Sequence, residues 1–243
     1  MQPQLPLIEY YYAVYTDAVH ALARMGYSQG VVYMCSSTAR LSFQSYLIDQ
    51  ADKLPQSLLG TIFCAPFWTP RLPLDYCVVT CLLRALARVF PQLIVTRDPI
   101  GARWLELLVE KATRSGRSVR VDPELNPIDN KPVFVEWLLM VSEAQCHLRH
   151  WVGSQRSDER RLPALLLTSD QQELDPHVDI EAVHRMWHRM YPVTAAAAGI
   201  QVSAALRVPG AEHDLVLSQL KPYELACDAI NRFITQCQSQ ARR

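Results

Sequence analysis

Four short apolar runs, VVYM (31–34), SLLGTIFCA (57–65), PALLLT (163–168) and VSAALRV (202–208), are separated by stretches with helical spacing. That alternation constrains the fold more than any other feature of the chain. A strand followed by a helix and then another strand gives parallel pairing, because the helix carries the chain back before the next strand begins. The expected class is therefore α/β with a largely parallel sheet. The first helix is read over 8–25, where Tyr11, Tyr15, Val19, Leu22 and Ala23 recur at helical intervals and Gly26 stands as the C′ residue. Further helices are read over 41–48, 179–191 and 221–238.

The stretch 66–160 differs from its flanks. It holds eight of the chain's 16 prolines, helical patterns over 77–90, 101–113 and 133–148, and no convincing strand. It reads as a helical cap inserted into one domain, with 1–65 the first part of the core and 161–243 the second. At 243 residues and 49% hydrophobic the chain can bury a large core, and its 24 basic and 24 acidic residues cancel, which argues against a nucleic-acid surface. No run of 18 apolar residues predicts a transmembrane segment, and MQPQLPLIEYYY has neither the basic nor the apolar region of a signal peptide. The seven cysteines lack the spacing of a disulfide framework, and Cys77 and Cys81 read as small hydrophobes rather than a metal pair. A cytoplasmic protein without metal or cofactor is expected.

Three positions carry the candidate chemistry. The first run enters Cys35-Ser36-Ser37-Thr38-Ala39 and then at once a helix. A serine on such a turn exposes its Oγ, and the amide of the next residue, Thr38, points to where an oxyanion would form. Asp175 follows the third run and His213 the fourth, so nucleophile, acid and base come in the order Ser, Asp, His, each after a strand. Asp170, nearer the strand end, is the alternative acid. His184 and His188, with His177 nearby, share a helix face, but the segment reads HRMWH. Arg185 stands where the zinc-protease motif needs Glu, so the histidines read as structural. Trp68, Trp104 and Trp137 lie in the proposed cap, where they line a pocket or simply pack. The stripe Cys81, Leu82, Ala85, Leu86, Val89 and Phe90 suits either an acyl chain or packing on the core.

On these residues the sequence resembles the α/β-hydrolase superfamily, in its serine aminopeptidase-type, lysophospholipase- and monoacylglycerol lipase-like branch. The family's elbow G-H-S-T-G-G-L has CSSTARL (35–41) in its place, keeping Ser37, Thr38 and Leu41. Its C-terminal G-A-x-H-D appears in VPGAEHDLVLS (208–218) and implies His213 as the base. NPIDNKPVFVEWLLMVSEAQCHL (126–148) is similar to the return from cap to core, and PALLLTSD with LDPHVDIEAV resembles the acid-bearing loop, implying Asp175. Cys35 and Ala39 replace elbow glycines, and Arg40 is expected to add a charge near the mouth of the site. The family's upstream strands and His-Gly loop have no counterpart before Ile8, so the sheet is expected to be incomplete on that side. The resemblance implies a serine hydrolase acting on a small-molecule ester or lipid substrate through Ser37, His213 and Asp175. A peptidase would share the triad, and a catalytically impaired relative would keep the scaffold as an interaction protein.

Overall fold

A computed structural model describes residues 7–27, 29–34, 37–66, 68–69, 76–97, 99–119, 132–154, 162–175, 178–191 and 203–242. Four parallel strands form the main sheet: β1 (Gly30–Met34), β2 (Leu58–Cys64), β5 (Ala164–Ser169) and β6 (Ala204–Val208), in the order β1-β2-β5-β6. The register aligns Tyr33 with Ile62, Ile62 with Leu165 and Leu165 with Ala204. All six residues of β5 are buried, as expected of a central parallel strand covered on both faces.

Side-chain alternation on β2 and β5 divides the core in two. Phe63, Ala164 and Leu166 join the larger cluster with α2 (Ser37–Asp49), α5 (Val135–Ser154) and α6 (Ile180–Met190), and α1 (Leu7–Arg24) packs its tyrosines against it. Ile62, Cys64, Leu165 and Leu167 face α7 (Leu220–Ala241) through Ala226, Ala229, Phe233 and Cys237. α7 approaches closely because Gly60 lacks a side chain. A Cβ there would lie 2.9 Å from the carbonyl oxygen of Pro163 and 3.1 Å from Cys237 Sγ. α1 ends as its sequence predicts: Gly26 has φ +88°, Tyr27 N–H donates to Leu22 and Gly26 N–H to Ala23, the paired bonds of a Schellman cap.

Between β2 and β5 lie α3 (Tyr76–Val89), β3 (Ile94–Arg97), α4 (Pro99–Arg114), β4 (Pro132–Phe134) and α5. The absence of strands expected in this stretch is corrected, since β3 and β4 pair antiparallel with Ile94 opposite Phe134. Each strand is very short, and the partners lie far apart in sequence, so neither produces a local pattern. α5, read from sequence with the insertion, places Met140, Val141, Ala144, Leu148 and Val152 in the larger core. α3 turns Thr80 inward to Ser142 and leaves Val78, Leu82, Leu86 and Val89 between 42% and 66% exposed, so its apolar stripe is not packed on the core. Trp68 is fully buried, stacked on Trp187 and edge-on to Phe63, while Trp137 packs at the margin of the same cluster. The side chain of Trp104 lies outside the described residues. Among the described residues no helix is long and apolar enough to cross a membrane, and the six cysteines form no disulfide.

Candidate active site

The segments that carry the candidate residues follow the carboxyl ends of β1, β5 and β6. β1 ends at Met34 and α2 opens at Ser37, with two residues between them. Cys35, Ser36 and the side chains of Ser37 and Thr38 lie outside the described residues. The first amides of a helix have no partner within it and sit at the positive end of the helix dipole. The start of α2 is therefore suited to receive a developing negative charge.

Arg40, one turn further on, is 2% exposed. The expected charge at the mouth is corrected: its Nε donates to the carbonyl of Met34 at 2.9 Å and its Nη1 to the carbonyl of Ala65 at 2.8 Å. The guanidinium thus joins the ends of β1 and β2, where an unmet carbonyl would cost folding energy. Ala65 has φ +44°, the sole non-glycine residue with positive φ among those described, and its N–H bonds to Leu167 of β5 at 2.7 Å.

The acid loop leaves β5. Gln172 organises it, with Nε2 donating to the carbonyls of Asp175 and Val178 at 2.6 Å each, and Oε1 accepting from Ile180 N–H at 3.1 Å. Asp179 caps α6 by accepting from Ala182 N–H at 2.9 Å. Thr69 ties the loop to the segment after β2, its carbonyl accepting from Asp179 N–H at 2.8 Å. Asp175 is fully buried.

The histidine loop leaves β6 through Pro209-Gly210, with Gly210 at φ +69°. His213 Nδ1 lies 2.7 Å from Asp175 Oδ1, and His213 N–H donates to the carbonyl of Leu174 at 3.2 Å. The two loops are therefore joined by side chain and backbone. Asp170 is engaged elsewhere, its Oδ1 accepting from Gly210 N–H at 2.9 Å and bracing the turn before the histidine. Burial pushes the Asp214 carboxyl up, against the Arg40 guanidinium and His213, which lower it. Arg40 of α2 is thus near enough to Asp214, the residue after His213, for its charge to act on that carboxyl.

His184 and His188 both lie on α6. His184 bonds through Nε2 to Thr168 Oγ1 at 2.9 Å; burial, Arg207 and His188 push its pKa down to about 4. Its ring centroid is 6.4 Å from that of His188, and His177 lies outside the described residues. Among the described residues no three metal-binding side chains converge. Gln172 and the buried use of Arg40 were invisible in the sequence, because both bond to backbone carbonyls, which any residue supplies.

A scan against protein-family models finds no match, and a search of curated proteins finds none by sequence. Among solved structures, the chain is similar to the monoacylglycerol lipase of Paleococcus ferrophilus, with TM-score 0.58, 14% identity, and 94% of this chain and 75% of that one covered. It is also similar to a soluble variant of monoglyceride lipase from Saccharomyces cerevisiae, solved with a substrate analogue, with TM-score 0.57, 12% identity, and 93% and 70% covered. With its parallel sheet, its flanking helices and this likeness over nearly its whole length, the chain has the α/β-hydrolase fold.

Proposed function

We propose that this chain is a serine hydrolase that cleaves carboxylic esters of monoacylglycerol or lysophospholipid type. The observation that carries the reading is the buried Asp175–His213 pair at 2.7 Å, on the loops that follow β5 and β6. The names of the two similar structures support the monoacylglycerol part of that substrate class.

In this reading the Asp175 carboxylate accepts from Nδ1–H of His213, which leaves Nε2 as the base. Ser37 Oγ attacks the ester carbonyl as its proton passes to Nε2. The tetrahedral oxyanion is met by the Thr38 amide at the helix start, a kind of contact worth about 10²–10³ in rate. Collapse breaks the bond to the alcohol, which leaves with the proton from His213 Nε2. Water then attacks the acyl-serine with the same base, releasing the carboxylic acid and restoring Ser37. The segment 66–160 acts as the cap over this site.

The test is intact-mass analysis after treatment with a fluorophosphonate, with Ser37→Ala in parallel. One adduct on wild type, absent from the variant, together with monoacylglycerol hydrolysis lost in the variant, is the expected result. No adduct on folded wild type, or an adduct that persists in Ser37→Ala, overturns the reading.

A further inference from the structure

The histidine loop is held from outside as well as by the acid loop. α4 packs on the 3-10 turn Leu215–Leu217, with Leu108 and Ala112 almost fully buried. Lys111 Nζ donates to Glu212 Oε1 at 2.8 Å, and the Glu212 side chain is only 7% exposed. A buried carboxylate needs such a partner. α4 then closes with a second Schellman cap: Gly116 has φ +93°, Gly116 N–H donates to Thr113 at 3.0 Å and Arg117 N–H to Ala112 at 3.1 Å.

This turn directs Arg117 back onto the histidine loop. Its Nη1 donates to the carbonyls of Val216, at 2.7 Å, and Ser218, and its guanidinium lies 3.7 Å above the ring of Tyr223 in α7. Ser115 Oγ accepts from Leu220 N–H at 2.9 Å. Within the loop, Glu212 N–H donates to Ser218 Oγ at 2.9 Å and closes the segment on itself. One stretch of seven residues, 111–117, thus grips the loop at Glu212, Val216, Ser218 and Leu220, on both sides of His213.

We infer that Lys111 and Arg117 are positioning residues, a clamp that sets where His213 Nε2 points; the inference rests on the serine-hydrolase reading above. Asp175 fixes one edge of the imidazole, but rotation of the loop about that contact would still swing Nε2 away from the serine. The clamp removes that freedom. A misplacement of about 1 Å at a reacting group costs about 10² in rate. Neither side chain is adjacent to His213 in the chain, so the effect passes through the loop.

Arg117→Ala, Arg117→Lys, Lys111→Met and Lys111→Arg are compared with wild type. Each is assayed for fluorophosphonate labelling rate, for kcat and KM on a short-chain ester, and for thermal unfolding. Arg117→Ala is expected to lower labelling rate and kcat by about tenfold to a hundredfold with KM little changed, and Arg117→Lys to recover part of the loss. Lys111→Met is expected to act in the same direction, with recovery in Lys111→Arg.

Wild-type rates in folded Arg117→Ala and Lys111→Met, while wild type labels on Ser37, overturn the clamp and leave the hydrolase reading intact. A fall in kcat not recovered by either conservative variant also overturns it. Should Arg117→Ala not fold, Lys111→Met and its partner Lys111→Arg decide. Wild type that fails to label overturns the hydrolase reading and the clamp's role with it.

Discussion

His213 Nδ1 and Asp175 Oδ1 meet at 2.7 Å, and the aspartate is shut off from solvent. The loops that bear them are also joined through His213 N–H and the carbonyl of Leu174, so the pair is preformed. Asp175→Asn should preserve the fold but offer the imidazole the wrong partner, holding the wrong tautomer. Ester turnover is expected to fall by about 10⁴. Asp170→Asn keeps an acceptor for Gly210 N–H and should leave turnover near wild type. Initial rates of both variants, with circular dichroism to verify folding, distinguish the two acids.

Arg40 supplies a second prediction. Arg40→Met keeps much of the volume but leaves the carbonyls of Met34 and Ala65 without their donor in a buried site. Each unmet buried group costs about 1–3 kcal/mol, so destabilisation of at least about 2 kcal/mol is expected. Urea unfolding measures it. A variant as stable as wild type would mean that water or another donor serves those carbonyls.

The parts of this molecule legible in its sequence are those set by local pattern. The strand runs and Gly26 depend on side-chain periodicity and on a backbone conformation that favours glycine, and both leave a signature. The sequence put Asp175 before Asp170 only through a family resemblance, because the pairing with His213 depends on how Gln172 folds the loop between them and on which carboxylate the histidine loop crosses. Arg40 was expected to add a charge near the mouth of the site, and its burial left no mark in the sequence because its partners are main-chain oxygens. α5 shows the same limit from another side: an apolar stripe on a helix looks identical whether it meets a cap or the core. Ser37 was proposed from its position between a strand and a helix, without the glycines that usually mark such a turn.

Gly60 should be intolerant of even the smallest side chain. In Gly60→Ala the new methyl meets the carbonyl oxygen of Pro163 at 2.9 Å, and that oxygen already accepts from Thr61 N–H at 3.0 Å. The strand cannot give without breaking this bond, and α7 approaches from the other side through Cys237 and Phe233. Overpacking of this kind costs about 1–3 kcal/mol. The expected result is a lower midpoint in urea with an unchanged slope, since the loss is of packing and not of compactness.

Asp49 gives a prediction in pH. Its Oδ1 lies 2.8 Å from His147 Nε2 of α5 and its Oδ2 accepts from Tyr12 OH of α1 at 2.7 Å, so one carboxylate of α2 ties three helices together. The hydrogen bond and charge of Asp49 hold the His147 pKa above its ordinary 6.5, outweighing burial. Burial pushes Asp49 upward, but bonds from His147 and Tyr12 prevail and bring it below its ordinary 3.8. A raised histidine stabilises fully below its unfolded value and loses that contribution as pH rises through the folded one. The lowered aspartate stabilises fully above its unfolded value and loses it as pH falls through the folded one. The pair therefore contributes most between about pH 4 and 6.5 and fades above that window. Both side chains are at least a third exposed, so the contribution is about 0.5 kcal/mol. Unfolding free energies of wild type and His147→Gln should differ most near pH 5.5 and converge by pH 9, and a difference that grows with pH would reverse the assignment.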